Sequence, residues 1–316
     1  MRLLVDIGNT RIKWACLDAG KAMDSQSFNR SKTGIKASLN SQWKTLENIN
    51  SIHVCNVAGD KIAQQLTEWT EKHWQLTPTF IRSEQKRFGV TNSYAQVELL
   101  GVDRWLALIA ARQHARMATC VIDCGTAITV DIVTKYGTHQ GGMILPGLSL
   151  MREALSSNTN MNDVVEENDF KTLAVNTQSA IQAGTLYTVT ASLERLIDDL
   201  QEQFNDRIRF IITGGDAETI IPLLSSPISH YPDIVLKGLA YYARQGDKKA
   251  IADVDAVDAV DAVDAVDAVD AVDAVDAVDA VDAVDAVEAV EAVEAVEAVE
   301  AVEAVEAVEA VEAVEA

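Results

Sequence analysis

One local pattern occurs twice in this chain, and that repetition constrains the fold more than any other feature. Residues 3–17 read LLVDIGNTRIKWACL and residues 119–133 read TCVIDCGTAITVDIV. In each, an apolar run ends in a carboxylate, Asp6 or Asp123. A glycine, Gly8 or Gly125, follows two residues later, and then a segment in which apolar and polar side chains alternate. Period-two alternation on both sides of a Gly-containing turn predicts a β-hairpin. Such a turn suits a nucleotide phosphate: glycine lets the backbone approach, the amides of Gly8 to Thr10 can donate, and Thr10 adds a hydroxyl. Asp6 at the strand end can hold Mg²⁺, directly or through water. A single Asp-x-Gly is equally an ordinary acidic surface turn. Two copies with equivalent positions 117 residues apart say more. They predict two similar domains facing one nucleotide.

The last 64 of the 316 residues are of another kind, Asp-Ala-Val and then Glu-Ala-Val triplets from Asp253 onward. They hold 12 Asp and 10 Glu with no Lys or Arg. The whole chain has 48 acidic and 26 basic residues, so residues 1–252 are neutral and the net charge of −22 belongs to the tail. A neutral body leaves no electrostatic footprint for nucleic acid. A period of three matches neither strand nor helix and forms no continuous apolar stripe. The tail, 253–316, is therefore a low-complexity acidic segment outside the fold, and truncation after Ala252 is expected to leave activity and thermal stability unchanged. The body divides into two domains, 1–117 and 118–252, each large enough for its own core. No apolar run reaches membrane-span length, and Met1 leads straight into a strand without a signal peptide, which predicts a cytoplasmic protein. Cys16, Cys55, Cys120 and Cys124 lack zinc-site spacing and read as reduced, buried thiols.

Between the hairpins, strands and helices alternate at a spacing that predicts an α/β fold. A helix is expected around Ile35–Leu46, a strand over Ser51–Val57, an amphipathic helix over Asp60–His73 and a strand over Thr77–Ile81. Residues 94–116 carry a strong helix with Gly101-Val102-Asp103-Arg104 at its start. Asp103 there is ordinarily macrodipole stabilisation. Arg104 beside it is less expected, and a carboxylate next to a guanidinium can serve a substrate carrying both a hydroxyl and an acid group. After the second hairpin come the glycine-bracketed strand 139–147, a helix from Leu148, and a polar loop over Ser156–Lys171. A long helix then runs from Thr177 to about Phe204, followed by a strand entering Thr213-Gly214-Gly215-Asp216. The Gly141-Gly142 pair either shapes a turn or admits a ligand against bare backbone. Gly214-Gly215 either underlies a nucleotide or makes a plain βα connection. Neither a Gly-x4-Gly-Lys-Ser/Thr loop nor a protein-kinase motif set is present.

Six pieces in order resemble the type III pantothenate kinases, the Bvg accessory factor family: Asp6-Ile7-Gly8-Asn9-Thr10, Gly101-Val102-Asp103-Arg104, Asp123-Cys124-Gly125-Thr126-Ala127, Gly142-Met143-Ile144-Leu145-Pro146-Gly147, Asn176-Thr177 with Ala180, and Thr213-Gly214-Gly215-Asp216. The resemblance implies two RNase H-like domains of the actin, hexokinase and Hsp70-like superfamily. It implies ATP-dependent phosphorylation of pantothenate to 4′-phosphopantothenate, the first step toward coenzyme A, by a homodimer with Mg²⁺ on the ATP. Asp6, Ile7, Gly8, Asn9, Thr10, Arg11, Ile12 and Lys13 would then form the ATP loop, with Thr126 a second ATP contact. Asp103 would be the general base, and Tyr94, Gly101, Val102, Asp103, Arg104 and Thr177 would hold pantothenate. Asp123 would bind a monovalent cation, K⁺ or NH₄⁺. Val97 stands where the family often has a proline, and the acidic tail has no counterpart. The alternatives are a kinase of another small hydroxy-acid or sugar, which Arg104 should discriminate by its charge, and a non-catalytic nucleotide-binding regulator, against which Asp6, Asp103 and Asp123 together argue.

Overall fold

In the computed structural model of the chain, which describes residues 1–18, 21–22, 24–31, 34–157, 172–205 and 207–245, the first hairpin forms as its alternation predicts. Strand β1 (Arg2–Ile7) pairs antiparallel with β2 (Arg11–Asp18), setting Asp6 opposite Lys13. Strands β3 (Lys21–Ala22) and β4 (Gln26–Asn29) extend the sheet beyond β2. After helix α1 (Lys36–Trp43), β5 (Ser51–Asn56) joins β1 on its other side in parallel. After helix α2 (Asp60–Trp74), the short β6 (Thr79–Phe80) completes the order β3-β2-β1-β5-β6. The strand expected over Thr77–Ile81 shrinks to those two residues. A small hairpin, β7 (Lys86–Arg87) with β8 (Val90–Thr91), precedes helix α3 (Val102–His114).

The second half repeats the scheme. Strands β9 (Ala118–Cys124), β10 (Ala127–Val133) and β11 (His139–Pro146) form an antiparallel meander. Helices α4 (Leu148–Ser157) and α5 (Thr177–Gln203) follow, and then β12 (Ile208–Thr213) lies parallel to β9. A single turn, α6 (Ala217–Ile220), leads to β13 (Ser229–His230) and the last helix, α7 (Ile234–Arg244). The order β11-β10-β9-β12-β13 is that of the first sheet. The repeated motif therefore marks a repeated RNase H-like sheet within the compact unit Met1–Lys248. Most of the loop expected over Ser156–Lys171, and the acidic tail, lie outside the described residues; Ser156 and Ser157 close α4.

Central strands covered on both faces read as continuous apolar runs. On β1, Leu3, Val5 and Ile7 pack with Leu39, Trp43, Leu66 and Trp69 of α1 and α2. Leu4, on the opposite face, enters a different core with Leu106, Ala110, Leu236 and Leu239 of α3 and α7. On β9, Cys120, Ile122 and Cys124 pack against Leu186, Val189 and Leu193 of α5, whereas Val121 joins the core that holds Leu4. Helices α3 and α7 thus form a shared layer between the two sheets. Residues Arg104 to Ala111 of α3 are all buried, as a helix packed on every side must be. At Gly238 a Cβ would stand 2.3 Å from the Leu106 carbonyl oxygen, so α3 and α7 meet backbone to backbone. All four cysteines are free and buried. The sequence reading had no counterpart for α7, whose apolar residues lie far in sequence from what they cover.

Candidate active site

The two Asp-x-Gly turns converge on a cleft of about 430 Å³. Their tips touch: the hydroxyls of Thr10 and Thr126 are 2.9 Å apart. Local geometry differs between them. The pair Ile7–Ile12 closes a turn over residues 8–11, whereas Cys124–Ile128 closes one over 125–127. The extra residue puts Lys13 opposite Asp6 but Thr129 opposite Asp123. Only the first hairpin brings a cation to the cleft at that position. Arg30 buttresses the first turn from behind, its Nη1 donating to the carbonyls of Gly8 (2.9 Å) and Asn9 (2.7 Å). With those carbonyls drawn toward Arg30, the amides of Asn9 and Thr10 remain for a ligand.

Asp6, Asp103 and Asp123 all line this cleft and are buried to a degree that disfavours charge. Burial first, then repulsion from Asp103 and Asp123, pushes Asp6 up to about 7, against the hydrogen bond from Cys55 and the attraction of Lys13. Burial and then Asp103 push Asp123 up to about 7, with Lys13 opposing. Asp103 is also raised, by burial first, although the Arg104 amide (2.8 Å) and the Arg104 charge favour its ionised form. Three mutually repelling carboxylates facing one lysine make a site that added cations would relax. Among the described residues no group of three potential ligands is arranged as a metal cage. The donor set therefore suits ions completed by phosphate oxygens and water, which is how Mg²⁺ is ordinarily held.

The turn Thr213-Gly214-Gly215-Asp216 closes the second side. Gly214 has φ +97°, and a Cβ there would lie 2.3 Å from the Cys124 carbonyl oxygen and 2.6 Å from Asp123 Oδ1. Only glycine allows β12 to turn this tightly over the end of β9. Pro232 and Asp233, just before α7, reach the cleft from a part of the chain remote in sequence from both turns. Lys13 donates to the Pro232 carbonyl and sits 3.5 Å from Asp233.

Of the residues predicted for ATP, Asp6, Gly8, Asn9, Thr10, Arg11, Lys13 and Thr126 line the cleft. Ile7 and Ile12 have fully buried side chains in the first core and are not among the residues lining the cleft. Of those predicted for the acceptor, Asp103 alone lines the cleft; Tyr94, Gly101, Val102 and Arg104 lie beside it, and Thr177 is exposed at the start of α5. The Arg104 guanidinium is already paired within the protein. Its Nε and Nη2 donate to Asp131 Oδ2 (2.6 Å) and Oδ1 (2.7 Å), and its Nη1 donates to the Tyr94 hydroxyl (3.1 Å). The bare backbone of Gly142 makes room for this guanidinium, since a Cβ would stand 2.8 Å from Nη2. Asn92, buried, holds the loop before Asp103: its side chain accepts from the Tyr94 amide (3.0 Å) and donates to the Val97 carbonyl (3.2 Å). These two bonds order the segment around Val97.

A family model for type III pantothenate kinase matches residues 2–199. The chain belongs to that family. A type III pantothenate kinase from Nitrosococcus oceani is 44% identical over 254 residues, 78% of this chain and 96% of that protein. One from Burkholderia mallei is 34% identical over 260 residues, 77% of this chain and 99% of the relative. Among solved structures, a Baf family protein from Campylobacter jejuni matches 78% of this chain and 99% of its own length at 22% identity and a TM-score of 0.47. Five of the six motifs lie at the cleft or at the Arg104 pocket beside it; Asn176-Thr177 with Ala180 lies at the start of α5. Sequence reasoning missed Arg30, Asp131, Pro232 and Asp233. Nothing local marks them, because each acts on a partner from another strand or helix.

Proposed function

We propose that this protein is a pantothenate kinase, transferring the γ-phosphoryl group of ATP to the pantothenate hydroxyl to give 4′-phosphopantothenate, the first step of coenzyme A synthesis. The observation that carries this reading is that Asp103 enters the same cleft as the paired Asp-x-Gly turns. Phosphoryl transfer depends on positioning, on charge neutralisation and on a group to receive the hydroxyl proton. The first turn offers amides, the Thr10 hydroxyl and Lys13 to the phosphates, and Thr126 meets them from the second. Asp103 accepts the hydroxyl proton; a carboxylate whose pKa burial raises is a better base than an ordinary one. When bound, Mg²⁺ at Asp6 and K⁺ or NH₄⁺ at Asp123 supply the charge neutralisation that Lys13 alone cannot.

Tyr94, Gly101, Val102, Arg104 and Thr177 hold the acceptor in this reading. Asp131 pairs with Arg104, so a neutral sugar would not leave the guanidinium uncompensated; family membership favours pantothenate instead. The body reads as two domains, 1–117 and 118–252, on the strength of their matching sheet orders. The chain works as a homodimer: the edge strand β11 exposes Met143 (45%) and Ile144 (63%), apolar surface suited to a second copy. In this reading the protein is cytoplasmic; no described helix is long and apolar enough to cross a membrane. ATP consumption with and without pantothenate, at matched K⁺ and Na⁺, tests the reading. Consumption that ignores pantothenate would overturn the function, and equal rates in the two salts would overturn the cation site.

A further inference from the structure

Behind Asp103 lies a buried chain of polar groups that joins three separate segments. Arg104 of α3 is 7% exposed, Asp131 of β10 is 3% exposed and His139 of β11 is 1% exposed. Asp131 receives the Arg104 guanidinium side-on through Nε and Nη2. On its Oδ1 it also meets His139 Nε2, at 2.9 Å. His139 Nδ1 is 3.2 Å from the Ser93 hydroxyl, and its ring stacks on Tyr94 at 5.8 Å between centroids with 15° between planes. Tyr94 in turn accepts from Arg104 Nη1.

This geometry leaves little freedom to the guanidinium. A planar fork presents its donors in fixed directions, so spending Nε and Nη2 on one carboxylate determines where Nη1 points. It points at the Tyr94 hydroxyl. That hydroxyl accepts from Nη1 and keeps its own proton to donate. Asp131 also balances the Arg104 charge, so what the acceptor meets is a pair of directed donors and not an open cation. Burial strengthens each of these bonds and makes an unpaired member costly.

We propose that Asp131 is a positioning residue for the acceptor substrate: by holding the Arg104 fork side-on it aims Arg104 Nη1 and the Tyr94 hydroxyl, as a mixed donor pair, at the carboxylate end of the acceptor. His139 braces the same carboxylate and stacks under Tyr94. The inference rests on the kinase reading above, and deepens it by naming how the acid group of the substrate is recognised.

Steady-state kinetics of Asp131→Asn, with each substrate varied in turn, test it. Arg104 loses its charged partner and swings, so KM for pantothenate is expected to rise about tenfold or more, with KM for ATP unchanged and kcat within roughly threefold. Arg104→Lys alone should raise KM for pantothenate comparably, and the double variant should be little worse than either single one, because both changes break one fork. Should Asp131→Asn fail to fold, Asp131→Glu keeps the charge while shifting the fork, and the same split at smaller amplitude is expected. Equal losses for both substrates, an unchanged KM for pantothenate, or additive single effects would overturn the inference. A wild-type protein that never phosphorylates pantothenate would sink the kinase reading itself, which these variants do not test.

Discussion

The Thr10 and Thr126 side chains are in hydrogen-bond contact at 2.9 Å although 116 residues separate them in the chain. They are the tips of two hairpins from two sheets, so this contact closes the floor on which phosphates would lie. An exposed hydroxyl pair is worth little to stability, about 0.5–1 kcal/mol. Thr10→Val or Thr126→Val should therefore leave the melting temperature nearly unchanged. Each should raise KM for ATP roughly tenfold, because a hydrogen bond to a charged group is worth about 1.5 kcal/mol or more. Thermal melts and ATP titrations check this, and a large loss of stability would assign the pair a packing role instead.

Asp103→Asn keeps the shape of the side chain and its acceptance of the Arg104 amide, but cannot take a proton. Turnover is expected to fall by roughly 10²–10⁴-fold, with both KM values changed far less. Near-normal turnover would remove Asp103 from the proton-transfer step.

Asp6 and Asp123 are raised from 3.8 to about 7 in the folded, ligand-free protein. Between those values the unfolded chain has lost protons that the folded chain still binds, so stability falls as pH rises through this window, and the loss is complete above about 7. For either carboxylate alone the full loss is roughly 4 kcal/mol, and less per group where repulsion is shared. Asp123→Asn should then raise the ligand-free melting temperature at pH 8 by about 5 °C, with the gain vanishing near pH 4, while activity drops. Mg²⁺ with ATP should stabilise the wild type more at pH 8 than at pH 5.5. A flat profile of melting temperature between pH 5 and 8 would contradict this account.

Gly238→Ala sets two effects against each other. Alanine favours a helix interior by about 1 kcal/mol, yet its Cβ would lie 2.3 Å from the Leu106 carbonyl oxygen, a backbone atom that cannot move aside. Overpacking of this kind costs about 1–3 kcal/mol or more and forces α3 and α7 apart. We expect net destabilisation of about 1–2 kcal/mol, read as a lower melting temperature. Activity should fall with it, since α3 carries Asp103 and Asp233 stands directly before α7. A more stable variant would show that the helices slide past each other without cost.

What the sequence determined by itself was local. Alternation around Asp6 and Asp123 appears as hairpins because a strand's side chains change face at every residue, and the requirement is met within a dozen residues. Helix α3 was legible for a similar reason, as one apolar run behind Gly101-Val102-Asp103-Arg104. The balance of acidic and basic residues in 1–252, and the period of three after Asp253, are properties of composition alone. What only the tertiary structure decided was which partner each polar group takes. The sequence sets Arg104 beside Asp103 as a cation for an acid group, but Asp131, on a strand of the second sheet, occupies its fork. Arg30 reaches the first Asp-x-Gly turn across the sheet, and Lys13 meets Pro232 at a separation of 219 residues. Helix α7 covers the first sheet from the end of the body. Such pairings rest on desolvation and on the few directions in which a buried fork or carboxylate can be satisfied. These depend on everything packed around the group and leave no periodic trace in the chain.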